Sequence, residues 1–302
     1  MLQVGLGCGR KGLRFKFTRS EIITHSSAIE SSAQSGTQPR AMGAAKLVVY
    51  GDHVGMTRLR DLRQSGSMKL VFPKTYQRDI EAILVNTAGG ITGGDRFSLQ
   101  IEALKGAVLT VTTQAAERAY RAQSGEVGRV HTRLTVHDGA FLKWLPQELI
   151  LFDRSALRRS LEIDLGAQAR LLMVEPVIFG RAAMPEVLRD VMFQDRIRIT
   201  RAGQPLYIDG MDLRGDAATH LARPAIANGA GAMASIVMVD LNAQNHLKSL
   251  RALLPETAGA SMLAEDVLVI RHLAADSFEL RRRLIPVLNH LTKNTLPTSW
   301  RL

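Results

Sequence analysis

The 302-residue sequence predicts a mainly β protein with about two helices toward its C-terminus. Three observations carry this. From Ala45 onward, apolar and polar residues mostly alternate with period two, the pattern of a strand with one buried and one wet face. Strand-like runs follow one another through short turn sequences without regular intervening helices, which argues against a doubly wound α/β fold. Helical spacing is clear only late in the chain, in two segments.

Residues 1–40 differ from the rest. They hold Gly5, Gly7, Gly9 and Gly12, a basic cluster (Arg10, Lys11, Arg14, Lys16, Arg19) and a Ser-rich run from Ser20 to Ser35. An organelle transit peptide shares this composition, but Glu21 and Glu30 count against it. The favoured expectation is a disordered extension or an over-extended start, with Met42 as the working initiator, followed by a single β domain over residues 41–302.

The body reads as follows. Ile83–Val85 is strand-like and runs into Asn86–Asp95, NTAGGITGGD, after which Phe97–Ile101 alternates again. Two Gly pairs, Gly89-Gly90 and Gly93-Gly94, mark a backbone that reaches conformations closed to other residues. A phosphate loop would end in Gly-Lys-Ser/Thr, and a dinucleotide fingerprint would lead into a helix. Here Asp95 follows, and its charge would repel a phosphate, so strand, glycine turn, strand is the local reading. Glu117–Arg121 is either one helical turn with an i,i+4 pair of Glu117 and Arg121 or a loop whose arginines meet an acidic partner. Arg129–Val136 sets Val130, Thr132, Leu134 and Val136 on one face. Arg159–Leu165 sets Leu161, Ile163 and Leu165 on one face, and Arg196–Thr200 alternates Arg and Ile. Asp138-Gly139 and Asp209-Gly210 supply turn chemistry. Residues 245–254 form a helix with Leu247, Leu250 and Leu254 on one stripe. Residues 276–294 form another, capped by Asp276 and Glu279, with Leu280, Leu284, Leu288 and Leu291 on one face and Pro286 expected to kink or divide it.

Composition narrows the function. One cysteine, Cys8, excludes an intrachain disulfide and Cys-rich metal sites, and fits a cytoplasmic setting. No apolar run approaches the ~18 residues that span a bilayer. The net charge of +11 and pI near 10.3 call for acidic partners. Aromatics are only 5%, too few for extensive base-stacking platforms, and the cations are dispersed, so an acidic protein is preferred to nucleic acid. The densest cluster, Arg281-Arg282-Arg283, reads as a solvated helix face. No Gly-x-Ser-x-Gly or His-Glu-x-x-His motif occurs, and the eight histidines are scattered.

The blocks NTAGGITGGD, TTQAAERAYR (112–121), LPQELILFD (145–153), FGRAAMPE (179–186) and LPTSWRL (296–302) stand in the order of those of the urease accessory protein UreD (UreH) family, which this chain resembles from about Met42 to its end. Leu149 and Pro185 depart from that pattern, where Thr and Gly are expected. The resemblance implies a superhelical, β-helix-like stack of strands with two helices. It also implies a non-enzymatic metallochaperone scaffold that acts with UreF and the GTPase UreG on urease apoprotein, nickel arriving from another accessory protein. It implies no tightly bound cofactor, only Ni²⁺ in transit.

Three acids stand out beside this resemblance. Glu148 follows Leu145-Pro146-Gln147, Asp153 closes the apolar run Leu149–Phe152, and Glu175 sits within Leu171–Phe179. Burying such carboxylates is costly unless they are paired or ligated. The residues leave two readings open: ion pairs with Arg118, Arg154 or Arg181, or a polar passage for a divalent cation, whose ligands are oxygens and imidazoles. Placement on separate outer surfaces would defeat the passage. Gly89, Gly90, Gly93, Gly94, Asp95, Glu117, Arg118 and Arg181 are the expected structural or interaction positions. Two rivals stand against the scaffold: a basic nucleic-acid-binding protein, and a β-helix enzyme on an anionic polymer with Glu148 and Asp153 as acid and base.

Overall fold

A computed structural model describes residues 38–74, 78–181, 184 and 186–301. The expectation of a disordered extension over residues 1–40 therefore falls almost wholly outside the described residues, as does Pro185.

The chain winds between two sheets. β1 (Met42–Gly51) and β2 (Thr57–Gly66) pair antiparallel in the first sheet, and β3 (Met68–Val71) begins the second. Strands then alternate between the sheets: β4 (Ile80–Asn86) in the second, β5 (Arg96–Ala103) in the first, β6 (Val108–Thr113) in the second. After the short corner strand β7 (Glu117–Ala119) come β8 (Gly128–Val136) in the first and β9 (Phe141–Leu145) in the second. After a second corner strand, β10 (Leu149–Leu151), come β11 (Ala156–Leu165), β12 (Arg170–Phe179) and β13 (Val191–Arg201), again alternating. β1, β5, β8, β11 and β13 are mutually parallel, as are β4, β6, β9 and β12. This is a β-solenoid-like stack, each coil contributing one strand to each sheet.

The corners also stack. Ile91 bridges Ala119, Ala119 pairs with Leu151, and Leu151 pairs with Phe179. Four of the sequence blocks thus occupy the same corner of successive coils, about 30 residues apart, the repeat length of many solenoids.

β14 (Gln204–Gly215) closes the first sheet antiparallel to β13. α1 (Ala217–Leu221), a third and short helix with Asp216 as its cap, was not expected. β15 (Ala232–Val239), α2 (Ala243–Leu253), β16 (Ala258–Ala264), β17 (Val267–Ala274) and α3 (Ser277–Thr292) complete the chain, the three strands extending the second sheet antiparallel. Asp276 caps α3 by accepting from the Glu279 N–H at 2.8 Å, and the helix runs through Pro286 undivided. Asp209-Gly210 is no turn: both residues lie inside β14.

Two cores follow. One fills the space between the sheets, with Leu47, Leu99, Leu134 and Ile163 meeting Leu109, Leu142 and Leu171. The other lies between the second sheet and the helices, where Leu172, Ile236 and Ile270 meet Leu250, Leu280, Leu284 and Leu288. β12 faces both cores, which is why 171–178 is an almost unbroken apolar run.

Candidate functional site

The glycine-rich corner is held by its own polar groups. Asp95 is buried; its Oδ1 accepts from the Ala41 N–H and its Oδ2 from the Thr92 N–H, both at 2.8 Å. Asn86 Nδ2 donates to the Gly90 carbonyl at 3.0 Å and to Glu117 Oε2 at 3.1 Å, linking this corner to the next. Gly94 has φ +84°, a left-handed conformation that a side chain strains. Gly93 faces Glu126 and Ala122 so closely that a Cβ there would lie 2.7 Å from Glu126 Cβ. Asp95 is a turn clamp; Gly90 and Gly93 let the next coil approach, while Gly89 and Gly94 supply left-handed backbone.

Glu117–Ala119 is a strand, so the helical i,i+4 pair does not form. Pairing with β10 fixes the extended backbone and turns the Glu117 carboxyl toward Asn86. Burial pushes that carboxyl up from its ordinary value, and the Asn86 bond offsets this in part.

The three acids picked from sequence occupy three environments. Glu175 lies on the inner face of β12. Its Oε1 accepts from Trp144 Nε1 at 2.6 Å, and its Oε2 lies 2.7 Å from Arg159 Nη1. Arg159 Nη2 also meets Asp195 at 2.5 Å. Two carboxylates therefore share one guanidinium between the sheets. Burial pushes Glu175 up, with Asp195 adding repulsion, against the pull of Arg159. For Arg159, burial works against the charge, but Asp195 and Glu175 outweigh it and raise its pKa.

Glu148 is buried on the helix side, where Arg281 Nη1 stands 2.9 Å from its Oε1. Asp153 is at a rim, accepting from the N–H groups of Arg189 and Asp190 at 2.8 and 3.0 Å, with Arg154 Nε 3.8 Å away. It opens onto a groove it shares with Arg121, Glu126 and Arg189. Of the expected partners, Arg154 does stand by Asp153, and the others are corrected. Glu148 pairs with Arg281 and Glu175 with Arg159, while Arg181 binds Glu186 at 2.9 Å. Arg281 is likewise no solvated residue, because the buried Glu148 draws it inward. Glu148 and Asp153 face different surroundings at opposite ends of β10, so they form no acid/base pair across an open cleft.

Two small cavities meet at Glu175. One, of about 80 Å³, is bordered by Glu117, Gln147, Thr132, Arg159 and Glu175. The other, of about 20 Å³, is bordered by Glu175, Asp195, Asp209, Ser235 and Arg271. Arg271 Nη2 contacts Asp209 at 2.6 Å and is partly exposed. A line of polar groups thus runs through the core from Glu117 to Asp209.

Sequence reasoning missed Arg159 and Asp195, although strand parity held the signal. Arg159 shares a face with Leu161 and Ile163, and Asp195 with Ile197 and Ile199, so both charges point inward. It also missed that His246 on α2 and His290 on α3 meet, their Nδ1 and Nε2 being 3.1 Å apart. No spacing within one element could show that. Among the described residues, no group of three or more His, Cys, Asp or Glu side chains is arranged to hold a metal ion. No helix among them is long and apolar enough to cross a membrane.

Comparison with known proteins gives one family. A family model described as UreD urease accessory protein matches residues 42–301. A urease accessory protein UreD of Roseobacter denitrificans is 53% identical over 266 residues, covering 88% of this chain and 96% of that protein. One from Ruegeria pomeroyi is 54% identical over 239 residues, covering 79% and 93%. One from Sinorhizobium medicae is 42% identical over 280 residues, covering 91% of this chain and all of that protein.

Proposed function

This chain belongs to the UreD family of urease accessory proteins, and from that premise we propose that it is a scaffold for the GTP-dependent insertion of nickel into the urease active site. The family is one of accessory proteins, so the chain is a maturation factor and not a catalytic enzyme. In this reading it acts in the cytoplasm, in a complex with UreF and the GTPase UreG on urease apoprotein. It receives nickel from another accessory protein and keeps no tightly bound cofactor.

The observation that carries the nickel passage is the unbalanced interior charge. Glu175 and Asp195 share Arg159, and when both are ionised the buried group holds one negative charge too many. A proton or a passing cation relieves that excess, since an uncompensated buried charge is costly. The cavities on either side of Glu175 extend the line to Glu117 and to Asp209. Oxygen ligands spread along a line, each already engaged by an Arg, Asn or Trp, hold a divalent ion weakly and release it. Of the acids picked from sequence, Glu175 sits on this line. Glu148 lies next to Gln147 at one end, and Asp153 marks the separate rim groove.

The test is reconstitution of urease activation with apo-urease, UreF, UreG, GTP and Ni²⁺. Omitting this chain should abolish activation. Glu175→Gln and Glu117→Gln should lower it several-fold while the complex still elutes intact on size exclusion. Activation unchanged without the chain would overturn the scaffold role. Full activity of both variants would overturn the passage.

A further inference from the structure

The outer face of the first sheet carries a feature that the passage does not use. In-register stacking sets the same position of successive coils side by side, so Arg96 of β5, Arg129 of β8 and Arg158 of β11 are register partners in one row. The next outward row is Ala44, Ser98, His131, Ser160 and Arg196. Its small members form a low floor, braced where His131 Nδ1 and Ser160 Oγ lie 2.8 Å apart. The result is a groove of about 560 Å³ walled by Arg96, Arg129, Arg158 and Arg196 and bounded by Ser65 and Gly66 of β2.

Neighbouring strands lie about 4.8 Å apart, and like charges directly opposite one another are destabilising. All four arginines are exposed, and none has an ion pair or side-chain hydrogen bond among the described residues. The following row behaves differently, because there Arg133 Nη2 meets Glu162 at 2.5 Å. Arg133 thus has a carboxylate partner on the neighbouring strand, whereas the four arginines around the small floor have none among the described residues.

We propose that this groove is the docking site for a carboxylate-rich segment of a protein partner. Guanidinium forks match carboxylates in pairs, and a row of three supplies such forks at strand spacing. The groove offers no exposed Phe, Tyr or Trp as a base-stacking platform: Phe97 belongs to the inner core and is 4% exposed, and the His131 ring is engaged by Ser160. The inference rests on charge and stacking geometry and involves no step of nickel transfer, so its failure leaves the scaffold reading untouched.

The test uses the full chain and a labelled oligo-glutamate peptide followed by fluorescence anisotropy at moderate salt. The triple variant R96E/R129E/R158E should weaken binding about tenfold or more, with R96Q/R129Q/R158Q in between. A control triple, R60E/K105E/R223E, removes the same net charge elsewhere and should leave binding nearly unchanged. Circular dichroism melts check that each variant is folded. Equal loss in the two reversed triples would reduce the effect to net charge and overturn the site. So would displacement of the peptide by duplex DNA at lower concentration than by unlabelled peptide, or absence of peptide binding to the wild type.

Discussion

Arg281 Nη1 lies 2.9 Å from Glu148 Oε1, and this contact fastens a solenoid corner to the C-terminal helix. The same guanidinium reaches Gln147 Oε1 at 2.7 Å and the Trp300 carbonyl at 3.0 Å, and stands over the Trp300 ring. Trp300 is fully buried and donates its Nε1–H to the Leu145 carbonyl at 2.9 Å. The LPQE and LPTSW segments, remote in sequence, are therefore parts of one junction.

Removing Arg281 leaves the Glu148 charge buried without a counter-ion. Breaking a buried pair from one side costs about 3–5 kcal/mol. Arg281→Met should lower the urea midpoint accordingly with the slope unchanged, and adding Glu148→Gln should recover a large part of the loss. Additive losses in the double variant would show that the two groups do not depend on each other.

Asp95 is the second structural test. Its carboxylate serves two backbone N–H groups, and each lost bond to a charged group is worth about 1.5–3 kcal/mol. Asp95→Ala should destabilise strongly and raise amide exchange at Ala41 and Thr92. Asp95→Asn, which keeps one acceptor oxygen, should cost less. Equal melting temperatures for wild type and Asp95→Ala would refute the clamp.

How much of this was legible in the sequence follows from which forces are local. Alternation in 129–136 and 159–165 gave strands, because each has one face in the core and one in water. The Asp276 cap gave the start of α3, because capping is settled within four residues. The coil repeat was not legible as residue identity. The stacked positions Ile91, Ala119, Leu151 and Phe179 share only a moderate apolar requirement, and the loops between them differ in length. Asp209-Gly210 misled because sheet pairing with β13 outweighs the local turn preference of that dipeptide. At the candidate site, parity was enough to place Arg159 and Asp195 inside. The partner of Glu148 was beyond reach, since Arg281 arrives from a helix that packs only after both sheets exist.

The shared guanidinium predicts an asymmetry. With two carboxylates to one arginine, neutralising one acid leaves a matched pair, whereas removing the arginine leaves two buried negative charges. Glu175→Gln should change stability by no more than about 1 kcal/mol, while Arg159→Met should cost about 3–5 kcal/mol. Chemical unfolding of the two variants decides it. Equal destabilisation would mean that Glu175 and Asp195 are both needed to hold Arg159.

Acid stability should be set in part by His272. Its side chain is buried on β17, and its Nδ1 has no hydrogen-bond partner. Burial lowers its pKa, and the nearby Arg283 charge lowers it further. His246 is lowered in the same direction, by burial and by His290. The unfolded chain takes up a proton at each of these groups near pH ~6.5, while the folded chain resists until the pH is lower. Between those two values the unfolded state binds more protons, so stability falls as the pH drops below ~6.5 and levels off beneath the folded pKa values. Glu117 and Glu175, whose carboxyls are raised, act with the opposite sign, because their contribution is lost as the pH rises through their folded values. The His272 share is therefore isolated by comparison with His272→Leu. Its melting temperature should drop less than that of the wild type between about pH 7.5 and pH 5.5. Equal drops would mean that His272 takes up its proton over the same pH range folded and unfolded, and so contributes nothing to acid stability.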